Sequence, residues 1–349
     1  MARINDYLKR YKTTIDKQVD ITSTDLLRRD EWMSPFMPFQ PYDDYDLMVL
    51  KAKQNKSIAH VVGFGGEIPA SKAGDLSIVE GGMIKLAKSH VYTEEDMKLM
   101  RKWQENVNGV PDSIKDHYFG SVTALPSVIT DTHTVISTEG VSTGKIDFRD
   151  EITGMKVEVV YSEDANQFPA DLTGGDLWSA PTTGAPVVGL RDHSRYYRRR
   201  IGLPAVTAMN ETTFDFMIET HEFRRTVAAL RNVDASTATS FIVGQDDVDE
   251  IFRKYRIPPL LLVDETYEEE LPDGSTVEKP FVEDGRYFFL WPDMGERALG
   301  PVESNNGQPG IYTFSEEVTK EPPVDRAVGV ATGMPMVWDT RKLGGRKVA

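Results

Sequence analysis

The sequence predicts an α+β protein organised around a projecting loop and one long helix. Three observations predict it. A glycine-laced apolar stretch runs from Ser57 to Tyr92, and a single helical stripe follows between Pro111 and Glu139. Beyond them, helical patterns are interspersed with short runs that read as buried strands.

The first 50 residues read as an arm. Tyr7, Leu8 and Tyr11 are sparse apolar points among charges, and Asp25–Asp30 is a short helical piece. Met33–Pro41 carries Pro35, Pro38 and Pro41, which keeps it extended. Its Met and Phe side chains need a surface, either the arm's own domain or a neighbouring copy.

The loop follows. Ser57–Pro69 reads as one arm of a hairpin and Leu76–Lys88 as the other, with turn composition in Ala70–Asp75. Six glycines fall between Gly63 and Gly82. A lone two-stranded hairpin is at best marginally stable in water. Ordering it costs roughly 1–2 kcal/mol per residue in backbone entropy. Either the rest of the chain covers it or a second copy does.

Thr93–Asn106 reads as a helix opened by a capping box, Thr93-Glu-Glu-Asp96, with an apolar stripe of Met97, Met100 and Trp103. The long helix rests on Ile114, Tyr118, Val122, Leu125, Ile129 and Ile136, which recur on one face. Pro111 and Asp112 suit its first turn and Gly140 its stop. Its length is about 45 Å at ~1.5 Å per residue. Pro126 should kink or split it.

Ile146–Phe148 and Met155–Tyr161 read as paired strands, and 162–210 as loop-rich, with Pro169, Pro181, Pro186 and Pro204. Glu211–Asn232 and Asp246–Arg256 read as helices. Leu260–Val263 and Tyr287–Trp291 read as buried strands, and Pro272-Asp-Gly274 as a hairpin turn. Val328–Trp338 reads as a last strand broken by Pro335.

Composition narrows the function. The chain has 349 residues, 40% of them hydrophobic and 9% aromatic, which are globular values. With no cysteine, disulfides, thiolate metal sites and thiol catalysis are excluded. No apolar run approaches a membrane span and no apolar leader is present, so neither membrane insertion nor secretion by that route is expected. A net charge of −15 argues against a dedicated nucleic-acid binder, though not against a protein that encloses DNA without gripping it.

Six histidines are scattered, and none forms a metal-ligand pair. Gly63-Phe-Gly-Gly66 lacks phosphate-loop spacing, and no nucleophile motif occurs. Between Asp264 and Asp284 lie nine acidic residues and one Lys, without calcium-loop spacing, which reads as a charged loop tip. Arg195-Tyr-Tyr-Arg-Arg-Arg200 interleaves cations and rings. It reads as a solvated, salt-bridged face, or as a phosphate and base contact. No catalytic, cofactor or metal residue is assigned.

The order of elements resembles that of the lambda-type bacteriophage major capsid proteins, the major capsid protein E family. It runs polar arm, Gly-rich loop, long helix, the Ile146–Phe148 and Met155–Tyr161 pair, then a mixed lobe. Phe281–Asp293, Lys320–Asp325 and Gly333–Val337 are similar to that family's closing segments.

The resemblance implies the HK97-like fold. Its parts would be an arm at 1–55, an extended loop at 56–92, a peripheral domain at 93–164, an axial domain at 165–310, and a segment at 311–349 returning to the peripheral domain. It further implies hexamers and pentamers closing an icosahedral shell around double-stranded DNA, assembled in the host cytoplasm. Its partners would be a portal, a separate scaffold protein and a decoration protein. Intersubunit contacts are expected at Ile68, Leu76, Ile78, Phe36 and Phe39. A DNA-facing patch is expected at Arg195, Arg198, Arg199 and Arg200. The alternatives are an encapsulin-like compartment and a soluble α+β enzyme. Both are distinguished by whether large particles form and what they hold.

Overall fold

The computed structural model describes residues 32–44, 46–52, 76–96, 98, 112–150, 152, 154–232, 243–320 and 323–349. In 46–52, 76–81, 112–123, 317–320 and 323–324 it describes the backbone alone. The expected loop arm Ser57–Pro69 and the stripe Met97, Met100 and Trp103 lie outside the described residues.

One strand organises the larger sheet. β15 (Pro323–Val337) pairs along one edge with β14 (Ile311–Lys320) and then with β12 (Gly295–Val302). Along the other edge it pairs with β4 (Ile84–Tyr92). All three pairings are antiparallel. β1 (Phe39–Pro41) joins the far edge of β12 in parallel, and β13 (Gln308–Pro309) caps its end. Every second residue on one face of β15 is small: Ala327, Gly329, Ala331 and Gly333. Since strand side chains alternate between faces, these four line one smooth track.

The long helix α1 (Asp112–Thr143) lies on that track. A Cβ at Gly329 would stand 2.8 Å from the Leu125 Cβ, and one at Gly333 would stand 2.5 Å from His133 Nε2. The predicted stripe faces inward where side chains are described: Leu125, Ile129 and Ile136 are buried. Pro126 does not split the helix, contrary to one expectation. Thr130 Oγ1 donates to the Pro126 carbonyl at 3.0 Å. The same donation recurs from Thr134 to the Thr130 carbonyl, Ser137 to His133 and Thr138 to Thr134. These hydroxyls satisfy themselves on their own helix, so a Ser/Thr-rich helix can be buried without orphaned donors.

Pro335 does not break the last strand either. Its carbonyl accepts from the Tyr161 hydroxyl at 2.6 Å on the edge that β4 has already left at Gly333. In an antiparallel strand a residue's N–H and C=O point the same way, so the missing donor costs no ladder bond.

The second sheet has the order β16 (Gly345–Lys347), β11 (Arg286–Leu290), β7 (Val206–Met209), β8 (Leu260–Leu262). Trp178 stacks on Tyr287 with 4° between ring planes, and His193 meets the Tyr287 hydroxyl at 2.9 Å. Thus β12 precedes residue 310 yet belongs to the first sheet, and β16 follows 311 yet belongs to the second.

Four helices flank this region: α2 (Pro186–Arg200), α3 (Glu211–Glu219), α4 (His221–Leu230) and α5 (Gln245–Tyr255). The region 162–210 was expected to be loop-rich, but α2 occupies fifteen of its residues. Pro186 sits in its first turn, where a missing N–H is harmless. Glu222 on α4 caps it, accepting from Val187 N at 2.9 Å and Val188 N at 3.2 Å. The single helix expected at 211–232 is two. Thr220 is extended at ψ 143° and its hydroxyl accepts from Phe223 N, starting α4.

Among the described residues, three two-stranded pairs remain. β5 (Lys145–Arg149) pairs with β6 (Lys156–Val160), as expected. β9 (Thr266–Glu270) pairs with β10 (Thr276–Pro280) through a turn in which Gly274 takes φ +81°. In the loop region Leu76–Gly82 forms β3, which pairs with β2 (Asp46–Ala52). The apolar run Leu47–Leu50 carries that strand, and β4 leaves the loop to join the large sheet.

The helix seat makes a prediction. Gly333→Ala is expected to destabilise the chain by about 1–3 kcal/mol, the range for forcing extra volume into a packed site. Urea denaturation measures it. A loss below about 0.5 kcal/mol would show that α1 can move away from β15 at little cost.

Candidate functional site

The expected intersubunit residues fall in different places. Ile68 lies outside the described residues, and Leu76 and Ile78 lie on β3, where only the backbone is described. Phe36 is 8% exposed and sits in the core with Met33 and Met37, both fully buried. Phe39 packs under the Arg297 guanidinium, 3.8 Å from its ring centre, and edge-on to His133. Phe36 is thus buried by its own chain, and Phe39 is half-buried against Arg297 and His133. The proline-rich segment leaves carbonyls free for this strap. Arg297 Nε donates to Met37 O at 2.9 Å, and Arg297 N to Pro38 O at 2.9 Å.

Arg297 was missed in the sequence. It is fully buried on β12, and also donates to Thr134 Oγ1 on α1 and to Ser34 Oγ on the strap, both at 3.0 Å. The signal was the charged pair Glu296-Arg297 inside the otherwise apolar run Met294–Val302. Beside it, His133 is buried, and neither ring nitrogen has a hydrogen-bond partner among the described residues. Burial, and then the Arg297 charge, push its imidazole down to about 3. His193 is pushed down to about 4, chiefly by burial. Both are neutral core side chains at pH 7, and neither is part of a metal cluster among the described residues.

The arginine run lies on the last turns of α2. Arg195, Arg199 and Arg200 are exposed and Arg198 is half-buried. Tyr197 is fully buried and bonds the Leu343 carbonyl at 2.6 Å, so no base can stack on it. Arg200 lies 4.1 Å over the Tyr196 ring and 4.0 Å from Asp164, and Tyr196 in turn donates to Asp164 at 2.9 Å. One tyrosine is core and the other is covered, which leaves a cationic edge without a stacking platform.

The acidic stretch is the β9–β10 hairpin. Glu270 pairs with Lys88 on β4 and Glu269 with Lys279. Glu268 and Glu278 stand directly opposite one another, both exposed. No helix among the described residues is long and apolar enough to cross a membrane.

The buried imidazoles set a pH dependence. An unfolded histidine takes up a proton below about 6.5, whereas folded His133 and His193 stay neutral down to about 3 and about 4. Stability is therefore full above about 6.5 and is lost as pH falls towards 4, at about 1.4 kcal/mol per pH unit for each imidazole. His133→Leu is expected to remove one proton's worth of this slope in urea melts between pH 7 and 5. An unchanged slope would mean that His133 titrates alike in both states.

No family model matches the chain, and no curated protein matches it in sequence. Solved structures do. A protein from a prophage of E. coli CFT073, titled a capsid protein, aligns with TM-score 0.56 at 13% identity, over 93% of this chain and 97% of that one. A phage-related protein of Bordetella bronchiseptica RB50 aligns with TM-score 0.50 at 10% identity, over 95% and 97%. The satellite phage P4 procapsid aligns with TM-score 0.49 at 9% identity, over 100% and 98%. With the long strand, the helix on its glycine track, the loop hairpin and the second sheet all in one chain, this protein has the HK97-like fold found in phage capsid proteins.

Proposed function

We propose that the chain is the major capsid protein of a tailed double-stranded DNA phage, its copies forming the hexamers and pentamers of an icosahedral head. One observation carries the reading beyond fold likeness. Among the described residues, β2 and β3 hydrogen-bond only to each other. A two-stranded ribbon of this kind is marginal in water. A surface on a neighbouring copy would supply the missing burial, at roughly 1.5–3 kcal/mol for each large apolar side chain covered.

In this reading Ile68, Leu76 and Ile78 dock on the neighbour. The parts at 1–55, 56–92, 93–164, 165–310 and 311–349 serve as arm, loop, peripheral domain, axial domain and returning segment. The shell encloses DNA without gripping it, since the −15 charge offers little to neutralise phosphates. A scaffold protein, a portal and a decoration protein are the partners this role calls for. Assembly takes place in the host cytoplasm and the product resides in the virion.

Two experiments test this. Purified protein, with and without scaffold, is expected to give large particles or capsomers in light scattering and electron micrographs. A strict monomer at every concentration contradicts the reading, and particles filled with a protein cargo reassign it to an encapsulin-like compartment.

Replacing residues 56–73 with a short Gly-Ser bridge is the second. Closure entropy changes by only about 0.6 kcal/mol per doubling of loop length. The melting temperature should therefore hold while assembly is lost. A lowered melting temperature with normal particles would assign the loop to its own chain.

A further inference from the structure

Helix α2 presents Arg191, Arg195 and Arg199 at intervals of four, one stripe on one face. Arg191 is engaged by Asp192 at 3.1 Å. Among the described residues, Arg195 and Arg199 are exposed and have no acidic partner. Exposed cations left unpaired in a chain of net charge −15 are a resource the single copy does not use.

The hairpin β9–β10 shows the converse. Tyr267 packs inward on Phe281, 5.3 Å between ring centres, so the alternate residues Glu268 and Glu278 face outward. They are directly opposed, an arrangement that destabilises a strand pair when both carry like charge. The neighbouring carboxylates Glu269 and Glu270 have lysine partners. Among the described residues Glu268 has none, and Glu278 has the Thr266 hydroxyl at 2.5 Å.

The spacings match. Opposed strand residues hold their Cβ atoms about 4.5–5.5 Å apart, and helical residues four apart about 5–6 Å. Two guanidinium groups at one spacing can each take one carboxylate at the other, in the forked geometry arginine favours. We propose that Arg195 and Arg199 of one copy clamp Glu268 and Glu278 of the next. This rests on the shell-forming reading above.

The contact joins two different surfaces. It is therefore head-to-tail, which closes rings or extends lattices instead of making two-fold pairs. Copies that repel one another overall gain register from such a local match. A DNA partner is disfavoured by the same −15 charge and by the buried Tyr197.

The test is a charge swap on the full chain. Glu268→Arg with Glu278→Arg, and separately Arg195→Glu with Arg199→Glu, are each expected to lower particle yield in sedimentation by about tenfold or more. All four changes together are expected to restore it. Circular dichroism confirms that each variant stays folded, as expected for exposed positions. In the wild type, raising NaCl to about 0.5 M should weaken assembly by screening.

A wild type that never assembles overturns the shell reading, and the clamp with it. A wild type that assembles alongside two equally competent double variants overturns the clamp alone. Normal particles from the Arg195→Glu, Arg199→Glu variant that fail to retain double-stranded DNA would give the stripe to DNA and overturn the clamp.

Discussion

The structure depends on how closely α1 can approach β15. Helix and strand meet where the strand offers Ala327, Gly329, Ala331 and Gly333 on one face, so the Leu125 and His133 side chains rest against backbone. Any larger residue on that track would lift the helix away. β14, β12 and β4 all pair onto β15, and β1 joins through β12. A shift of the helix would therefore be felt across the whole sheet. Interiors are close-packed, so such a seat transmits strain and does not absorb it.

The same seat explains the polar residues inside it. Thr130, Thr134, Ser137 and Thr138 are buried, yet each hydroxyl is satisfied by the helix turn beneath it. This leaves the sheet side of α1 free to receive Arg297. That guanidinium bonds the strap twice and the helix once, tying both to the strand that carries it. A buried charge is costly unless every donor is used. Removing the side chain would take the donor from the Met37 carbonyl, and removing the strap would take the Met37 and Ser34 acceptors from the charge. The strap and the sheet are thus held as one unit.

Charge is distributed in keeping with this. The chain is strongly acidic overall, and much of that acid is answered locally: Lys88 by Glu270, Lys347 by Glu283 at 2.6 Å, Arg231 by Asp247 at 2.6 Å. Exposed pairs of this kind add little stability individually. Exposed groups left unpaired shape the local field of the surface instead.

Much was legible from the chain alone, because it followed from spacing. The stripe on α1, the β5–β6 pair, the Asp-Gly turn of β9–β10 and the buried strand β11 are all local patterns, and the fold class followed from their order. Helix α2 was legible too, in the buried steps Val187, Leu190, Ser194 and Tyr197, but the surrounding prolines masked it. Local spacing could not say which strand takes which partner. That β2 pairs with β3 depends on a contact between stretches distant in the sequence. Nor could it say whether Pro126 and Pro335 interrupt their elements, since each depends on what faces the missing N–H. The covering of Phe36 and Phe39 was likewise decided by the tertiary structure. Only there does a buried arginine, more than 250 residues away along the chain, meet the strap's carbonyls.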